Sequence, residues 1–458
     1  WRFQADKIII DNQKWFSDEL FLTNDPYNNP QVKIKNSDFV SINKDEQIYI
    51  KAKWSTLILD DKLNIPIGPR RIKVGEENQK LRWELGYDQK KKDGLYIMRS
   101  ADPIYFLNKN TKLNLKKEFY LQRALQGQTK SFTKKNESLY SAKIKQNNKL
   151  SDLFGLEAAL ESKVYGLNFD SNIAFNSLDL NKLNQTLTSK NELSRTLFEE
   201  NRPDFSKSNK LSLFFNYREN IWNGSIGERE ILRAYGLKIN KTNNWKNNKT
   251  NKSSEIALAY GYYKANKKNI LKEIINRDRL NIFLERNHSY PIWERGETNL
   301  INKEYIYSPS VIKEGLRLNW KTKFDFYRYS DDNFQNLFTF KFGPELTLGG
   351  FKKKYFDYTK LSIYPRITFA EGNSPFDFDQ AVDNKIIELS YLQQITGPLT
   401  IKISSQYNFD VDSSKNNQFS NFKYELAWNR RAYNLSAYYN QDQKTGGINF
   451  KIYSFNFD

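Results

Sequence analysis

The stretch L-R-L-N-W-K-T-K-F-D-F, Leu316–Phe326, decides the fold class. Its even positions read Leu316, Leu318, Trp320, Thr322, Phe324 and Phe326, and its odd positions read Arg317, Asn319, Lys321, Lys323 and Asp325. A helix would wind both sets around one cylinder, whereas a strand puts one set on each face. The same period recurs in Leu399–Phe409, Phe422–Trp428, Ile256–Tyr262 and Leu361–Phe369. Such runs are about as long as the ~9–11 residues that cross a bilayer as a tilted strand. Polar, turn-rich stretches separate them, such as Lys241–Lys252 and Asp410–Gln418. Lys264–Arg279 reads equally as a short helix or a loop, and R-N-H-S-Y-P around His288 reads as a turn.

Composition narrows the class. Among 458 residues there are 28 Tyr, 32 Phe and 9 Trp, although mean hydropathy is −0.77. Strands favour aromatic residues, and membrane barrels add girdles of them at both interfaces. The expected fold is all-β: a large antiparallel transmembrane β-barrel at 61–458, behind a small N-terminal β segment at 1–60. At ~15 residues per strand and turn, about 400 residues predict roughly 22–26 strands. No recurring motif of ~40–50 residues marks a propeller.

The absence of cysteine excludes disulfides, thiolate metal sites and cysteine nucleophiles. A single histidine, His288, leaves little for acid–base or metal chemistry. No hydrolase elbow, phosphate loop, dinucleotide fingerprint or zinc-protease motif is present. The expectation is no catalytic residue, no metal, no cofactor and no enzymatic activity. The net charge of +19 is spread along the chain instead of clustered, which argues against a nucleic-acid partner. On the polar strand faces Arg317, Lys321, Lys323, Arg366 and Lys402 are candidates for a basic lumen that attracts anions; the plain alternative is charges paired across strands. The chain starts at Trp1 with no visible leader, so the export signal is unobservable.

In the opening segment the expected strands are Phe3–Ile10, Gln31–Lys35, Asp38–Ile42 and Gln47–Trp54. Ile8 and Ile10, Val32 and Ile34, and Ile48, Ile50 and Trp54 each share a face. Those residues make either an apolar groove or a closed core.

Several strings together resemble the cyanobacterial branch of the lipopolysaccharide-assembly outer-membrane proteins, the LptD (OstA) family. They are A-D-K-I-I-I-D at Ala5–Asp11, L-T-N-D-P-Y-N-N-P at Leu22–Pro30, D-E-Q-I-Y-I at Asp45–Ile50 and L-N-I-P-I-G at Leu63–Gly68. Further on stand D-G-L-Y-I-M-R-S-A-D-P-I at Asp93–Ile104, F-Y-L-Q-R-A at Phe119–Ala124, Y-E-L-A-W-N-R-R-A-Y at Tyr424–Tyr433 and T-G-G-I-N-F-K-I-Y-S-F-N-F at Thr445–Phe457. The resemblance implies an N-terminal β-jellyroll in the periplasm and a barrel in the outer membrane. It implies a translocon that accepts lipopolysaccharide from a periplasmic β-jellyroll bridge protein and releases it into the outer leaflet, among outer-membrane lipids. A plug lipoprotein is a family feature. The cysteine-linked assembly of the better-known branch has no counterpart here. With the resemblance, Ile8, Ile10, Val32, Ile34, Ile48, Ile50 and Trp54 become the candidate lipid path.

A lipid leaving sideways needs a weak strand pair. Pro66 and Pro103 fall in the expected first two barrel strands, and proline removes a ladder hydrogen bond. Ile448, Phe450 and Ile452 lie on one face of the expected last strand, which changes phase at Tyr453–Phe457. These residues form the candidate lateral seam. The alternative functions are a passive porin-like outer-membrane channel and a soluble, basic, β-rich polyanion-binding protein.

Overall fold

The computed structural model describes residues 2–453, apart from 12–13, 45–46, 74–81, 108–109, 133–144, 247–249, 296–306 and 311. Two sheets carry the architecture. The first is an eight-stranded antiparallel sheet, Arg2–Gln4 through Arg70–Lys73. Its long strand Val32–Lys44 forks: the N-terminal half pairs with Trp54–Leu59 and the C-terminal half with Gln47–Ala52. Leu20, Leu22, Val32, Ile34, Leu57 and Leu59 form its buried face. The sheet outruns the expected boundary at residue 60. Asp60 and Asp61 take left-handed backbone conformations, φ 50° and 55°, which turn the chain back so that Leu63–Pro66 pairs with Trp54–Leu59.

The second sheet closes on itself. Among the described residues, eighteen antiparallel strands run from Trp83–Asp88 to Thr445–Ile452, with the second strand broken into Gly94–Ser100 and Ile104–Phe106. Eighteen replaces the expected 22–26 because many strands exceed one bilayer crossing: Glu228–Lys246 has 19 residues and Ile270–Glu294 has 25. Lys264–Arg279 is neither helix nor loop. It joins Asn251–Lys267 to Ile270–Glu294 through a tight turn at Asn269, φ 61°. His288 is likewise inside a strand, its ring stacked 4.0 Å from that of Trp320.

Register sorts the faces. Ile239, Leu258, Ile282 and Phe326 are successive cross-strand partners, and all four are exposed. That row lies on the outer wall; the intervening residues point to the lumen. Phe214, Gly236 and Gly261 are register partners on the inner wall, where the neighbouring strand's carbonyl and then the Phe214 ring leave no room for a Cβ at either glycine. An apolar outside and a polar inside is the pattern of a membrane barrel.

The chain ends of the barrel and the N-terminal sheet lie at one end, the near end. Turns at 165–166, 203–204, 397–398 and 430–432 share it, while the loops at 120–153, 373–384 and 409–417 lie at the far end.

Candidate functional site

The closing joint of the barrel is its weakest. Thr445, Gly446, Gly447 and Ile448 register with Asp88, Tyr87, Gly86 and Leu85, four pairs in all. Among the described residues every other joint has six or more pairs, counting both pieces of the second strand together, and Phe205–Trp222 meets Glu228–Lys246 over seventeen. Three glycines lie within these four pairs, with Gly86 facing Gly447. Glycine contributes no cross-strand side-chain contact and loses the most backbone entropy on ordering. Gly86 is also dictated locally, since a Cβ there would collide with the Tyr96 ring.

Toward the near end the joint splays. Asn449–Ile452 register only with Tyr433–Ser436, and Trp83 and Glu84 only with Arg99 and Met98. Ile448 therefore lies in the seam, whereas Phe450 and Ile452 lie on its splayed edge. Pro103 stands at the break in the neighbouring strand, beside the Arg82–Asp102 ion pair at 2.5 Å. Pro66 belongs elsewhere: it registers with Thr56 in the N-terminal sheet, because that sheet keeps the chain through Lys73. The last strand thus meets Trp83–Asp88, and neither the segment that carries Pro66 nor the one that carries Pro103 is its partner. The phase change expected at Tyr453–Phe457 lies outside the described residues beyond Tyr453.

The splayed edge leads into the N-terminal sheet. Phe450 and Ile452 pack against the core made by Leu20, Leu22, Val32, Ile34, Leu57 and Leu59, together with Ala432 and Tyr433 of the barrel. Around it runs a polar clamp. The Asp25 carboxylate accepts from Arg431 Nη2 at 2.8 Å and from the Gln31 amide at 2.9 Å, and both Asp25 and Arg431 are buried. The Arg431 guanidinium lies 3.9 Å from the Tyr27 ring centroid. Asp60 accepts from Arg430 Nε at 3.0 Å and from the Tyr433 hydroxyl at 2.7 Å. Asn24 Nδ2 donates to the Tyr453 carbonyl at 2.9 Å.

The candidate lipid-path residues divide. Val32 and Ile34 are buried in the shared core, and Ile50 is half-buried against it. Ile8 is half-buried and Ile10 exposed, and the Ile48 side chain lies outside the described ones. Trp54 is exposed on the face opposite the core and does not share a face with Ile50, because the chain breaks its alternation at Lys53 between the two strands. Ile10 registers with Trp15, whose ring lies 6.0 Å from that of Phe3; all three are exposed.

Four of the five candidate lumen cations have carboxylate partners. The distances are 2.5 Å for Arg317–Glu294, 2.7 Å for Lys321–Glu285, 2.8 Å for Lys323–Asp325 and 3.8 Å for Arg366–Glu388. Lys402 is exposed. Such pairing leaves a hydrated, largely compensated wall. Lys323 and Arg366 line a lumen cavity of about 670 Å³.

A loop caps that cavity at the far end. In Asn373–Asn384, Phe376 and Phe378 are buried against Tyr263 and Tyr329, on strands four and two places around the wall from Thr359–Gly372. Asp377 pairs with Arg229, and Asp379 accepts from Arg279 at 2.7 Å and from the Tyr329 hydroxyl at 3.0 Å. Asn223 Nδ2 holds the Gln380 carbonyl at 3.0 Å, and Asp383 accepts from the Ser225 amide at 2.6 Å. Sequence reasoning missed this cap, although F-D-F-D at Phe376–Asp379 alternates between two turn-rich stretches. It also missed the Arg430–Arg431 clamp and the seam glycines.

A family model described as a protein of unknown function, DUF3769, matches residues 1–456. Among curated proteins no sequence matches. Two outer-membrane proteins are among the similar solved structures. The in-vitro-folded OmpT of Vibrio cholerae, 8% identical, aligns over 81% of this chain and 92% of its own with a TM-score of 0.29. The alcaligin outer-membrane receptor FauA of Bordetella pertussis, also 8% identical, aligns over 96% and 73% with a TM-score of 0.24.

Proposed function

We propose that this chain, which belongs to the DUF3769 family, is an outer-membrane translocon that passes lipopolysaccharide from a periplasmic N-terminal sheet to the outer leaflet through the Trp83–Asp88/Thr445–Ile452 seam. The observation that carries this reading is the four-pair, three-glycine seam opening onto the apolar core of the N-terminal sheet. A lipid with several acyl chains needs apolar cover throughout, because each CH₂ exposed to water costs about 0.8 kcal/mol. The Phe450–Ile452 edge continues the sheet's apolar face up to the seam. The cap over the far mouth favours a sideways exit over one along the barrel axis. For the same reason a passive porin-like channel is the weaker reading.

The resemblance to the LptD (OstA) family supports the lipid and the direction. In this reading a periplasmic β-jellyroll bridge protein delivers lipopolysaccharide to the exposed Phe3, Ile10 and Trp15 patch. A plug lipoprotein would occupy the lumen. No step is enzymatic, and no cofactor or nucleic acid takes part.

The test is a photo-crosslinking residue in cells. Probes at Ile10 and Ile50, which register on the core side of the sheet, should capture lipopolysaccharide, and probes at Lys33 and Lys51, on the opposite face, should capture much less. Equal yields at all four positions would refute a directed path.

A further inference from the structure

We infer that the outer wall carries a phospholipid headgroup site at the near-end rim, on the strands Glu228–Lys246, Asn251–Lys267, Ile270–Glu294 and Gly315–Tyr329. The inference rests on the barrel spanning a membrane. Register places its residues. Lys252 is the cross-strand partner of His288, and His288 that of Trp320. These three lie on the same face as the exposed apolar row Ile239, Leu258, Ile282 and Phe326, since each is an even number of residues away along its strand. Arg286 shares that face. Six residues separate His288 from Ile282, about 20 Å of strand. At a barrel strand's tilt this brings His288 to the edge of an apolar band ~25 Å tall.

A cavity of about 630 Å³ opens there, lined by Asp204, Trp245, Lys246, Lys252, Arg286 and His288 among others. Its electrostatics differ from those of the lumen. Four of the five candidate lumen cations face carboxylates, yet among the described residues neither Lys252 nor Arg286 has a carboxylate within 4.0 Å. Lys252 Nζ instead lies 5.7 Å from the Tyr290 ring centroid. His288 is held by its stack on Trp320, and its Nδ1 is buried without a hydrogen-bond partner. Two cations without carboxylate partners at the rim of an apolar wall suit a phosphate with its acyl chains lying along that wall. The Asp204 carboxylate at the same cavity suits a headgroup hydroxyl or amine donor. The site would therefore hold a phospholipid of the near-side leaflet in place, on a part of the wall remote in sequence from the closing seam.

The test uses the full chain in phosphatidylcholine nanodiscs with photoactivatable phosphatidylglycerol as the probe. Crosslinks mapped by mass spectrometry should concentrate at Trp245–Lys246, Lys252 and Arg286–His288. A Lys252→Gln, Arg286→Gln double variant should lose them by about tenfold or more, since both charge-assisted bonds to the phosphate are removed. Lys252→Arg with Arg286→Lys should retain them. Excess inorganic phosphate should not compete; if it abolishes the crosslinks, the site takes free phosphate and the lipid assignment fails. Crosslinks spread evenly around the wall, or unchanged in the double Gln variant, would also overturn the site. A chain that does not enter nanodiscs at all would instead overturn the membrane reading on which the site rests.

Discussion

Replacing Arg431 by alanine should release the N-terminal sheet from the barrel while leaving each folded. Arg431 reaches the buried Asp25 carboxylate from the turn between Gln418–Asn429 and Tyr433–Asn440. Without it, Asp25 keeps the amide hydrogen bonds from Gln31 and Tyr27 but no counter-charge. Breaking a buried pair from one side costs about 3–5 kcal/mol. At tenfold per 1.4 kcal/mol, docking should weaken by roughly 10²-fold to a few thousandfold. Hydrogen exchange of the detergent-solubilised chain reads this directly. Protection of the Ala432 amide, which donates to Gln31 Oε1 at 3.2 Å, should fall by about that factor. Protection within Glu228–Lys246 should not change. Arg430→Ala should do less, because its pair with Asp60 is partly solvated. Asp25→Asn combined with Arg431→Met removes both charges and should recover most of the loss. Unchanged protection of Ala432 in Arg431→Ala would refute the clamp.

Two further outcomes follow from the far end. A Phe376→Ala, Phe378→Ala variant loses two buried rings, at about 3–5 kcal/mol each, and should free the cap. Planar-bilayer conductance should then rise while migration on a denaturing gel stays heat-modifiable; unchanged conductance would mean the loop does not close the lumen. The second outcome concerns acid. Burial pushes the Asp152 carboxyl up, but Lys182 at 2.8 Å, the Lys149 amide at 3.0 Å and Ser177 Oγ at 2.7 Å hold it below the usual range. A carboxyl lowered on folding contributes stability above its unfolded value, near pH ~4, and loses it as pH falls through the folded value. Hydrogen exchange at Leu150–Leu153, corrected for intrinsic rate, should accelerate in that acid window, and Asp152→Asn should abolish the pH dependence.

The wall of the barrel was legible because lipid-side and lumen-side residues alternate at every step, as in Leu316–Phe326. Closure was not. Period two says which face a residue takes, but a strand's partner is chosen by the whole ring, so alternation alone does not mark the first barrel strand, and Pro66 lies in the N-terminal sheet instead. Strand number failed for a related reason: polar residues such as Lys241 and Asn243 read as loop, yet they continue Glu228–Lys246 past the apolar belt. His288 read as a turn because Asn287, Ser289 and Pro291 surround it. The ladder tolerates Pro291 by a register shift between Pro291 and Trp293. The clamp was visible only in fragments. The strings at Leu22–Pro30 and Tyr424–Tyr433, some four hundred residues apart, meet as Asp25 and Arg431. Likewise Asp93–Ile104 and Phe119–Ala124 meet as Asp93 and Arg123 at 2.8 Å. Each half-site is an unremarkable charge until the fold supplies its partner.

The seam is tested most directly by a lock. Leu85 and Ile448 are register partners at the splaying end of the four-pair joint, and the chain has no native cysteine to interfere. Directly opposed strand residues bring their Cα atoms to about 4.5–5.5 Å, within disulfide range. A Leu85→Cys, Ile448→Cys variant, oxidised in cells, should stop lipopolysaccharide from reaching the cell surface, and reduction should restore it, with both forms remaining folded barrels. Normal export through a fully oxidised barrel would contradict the account.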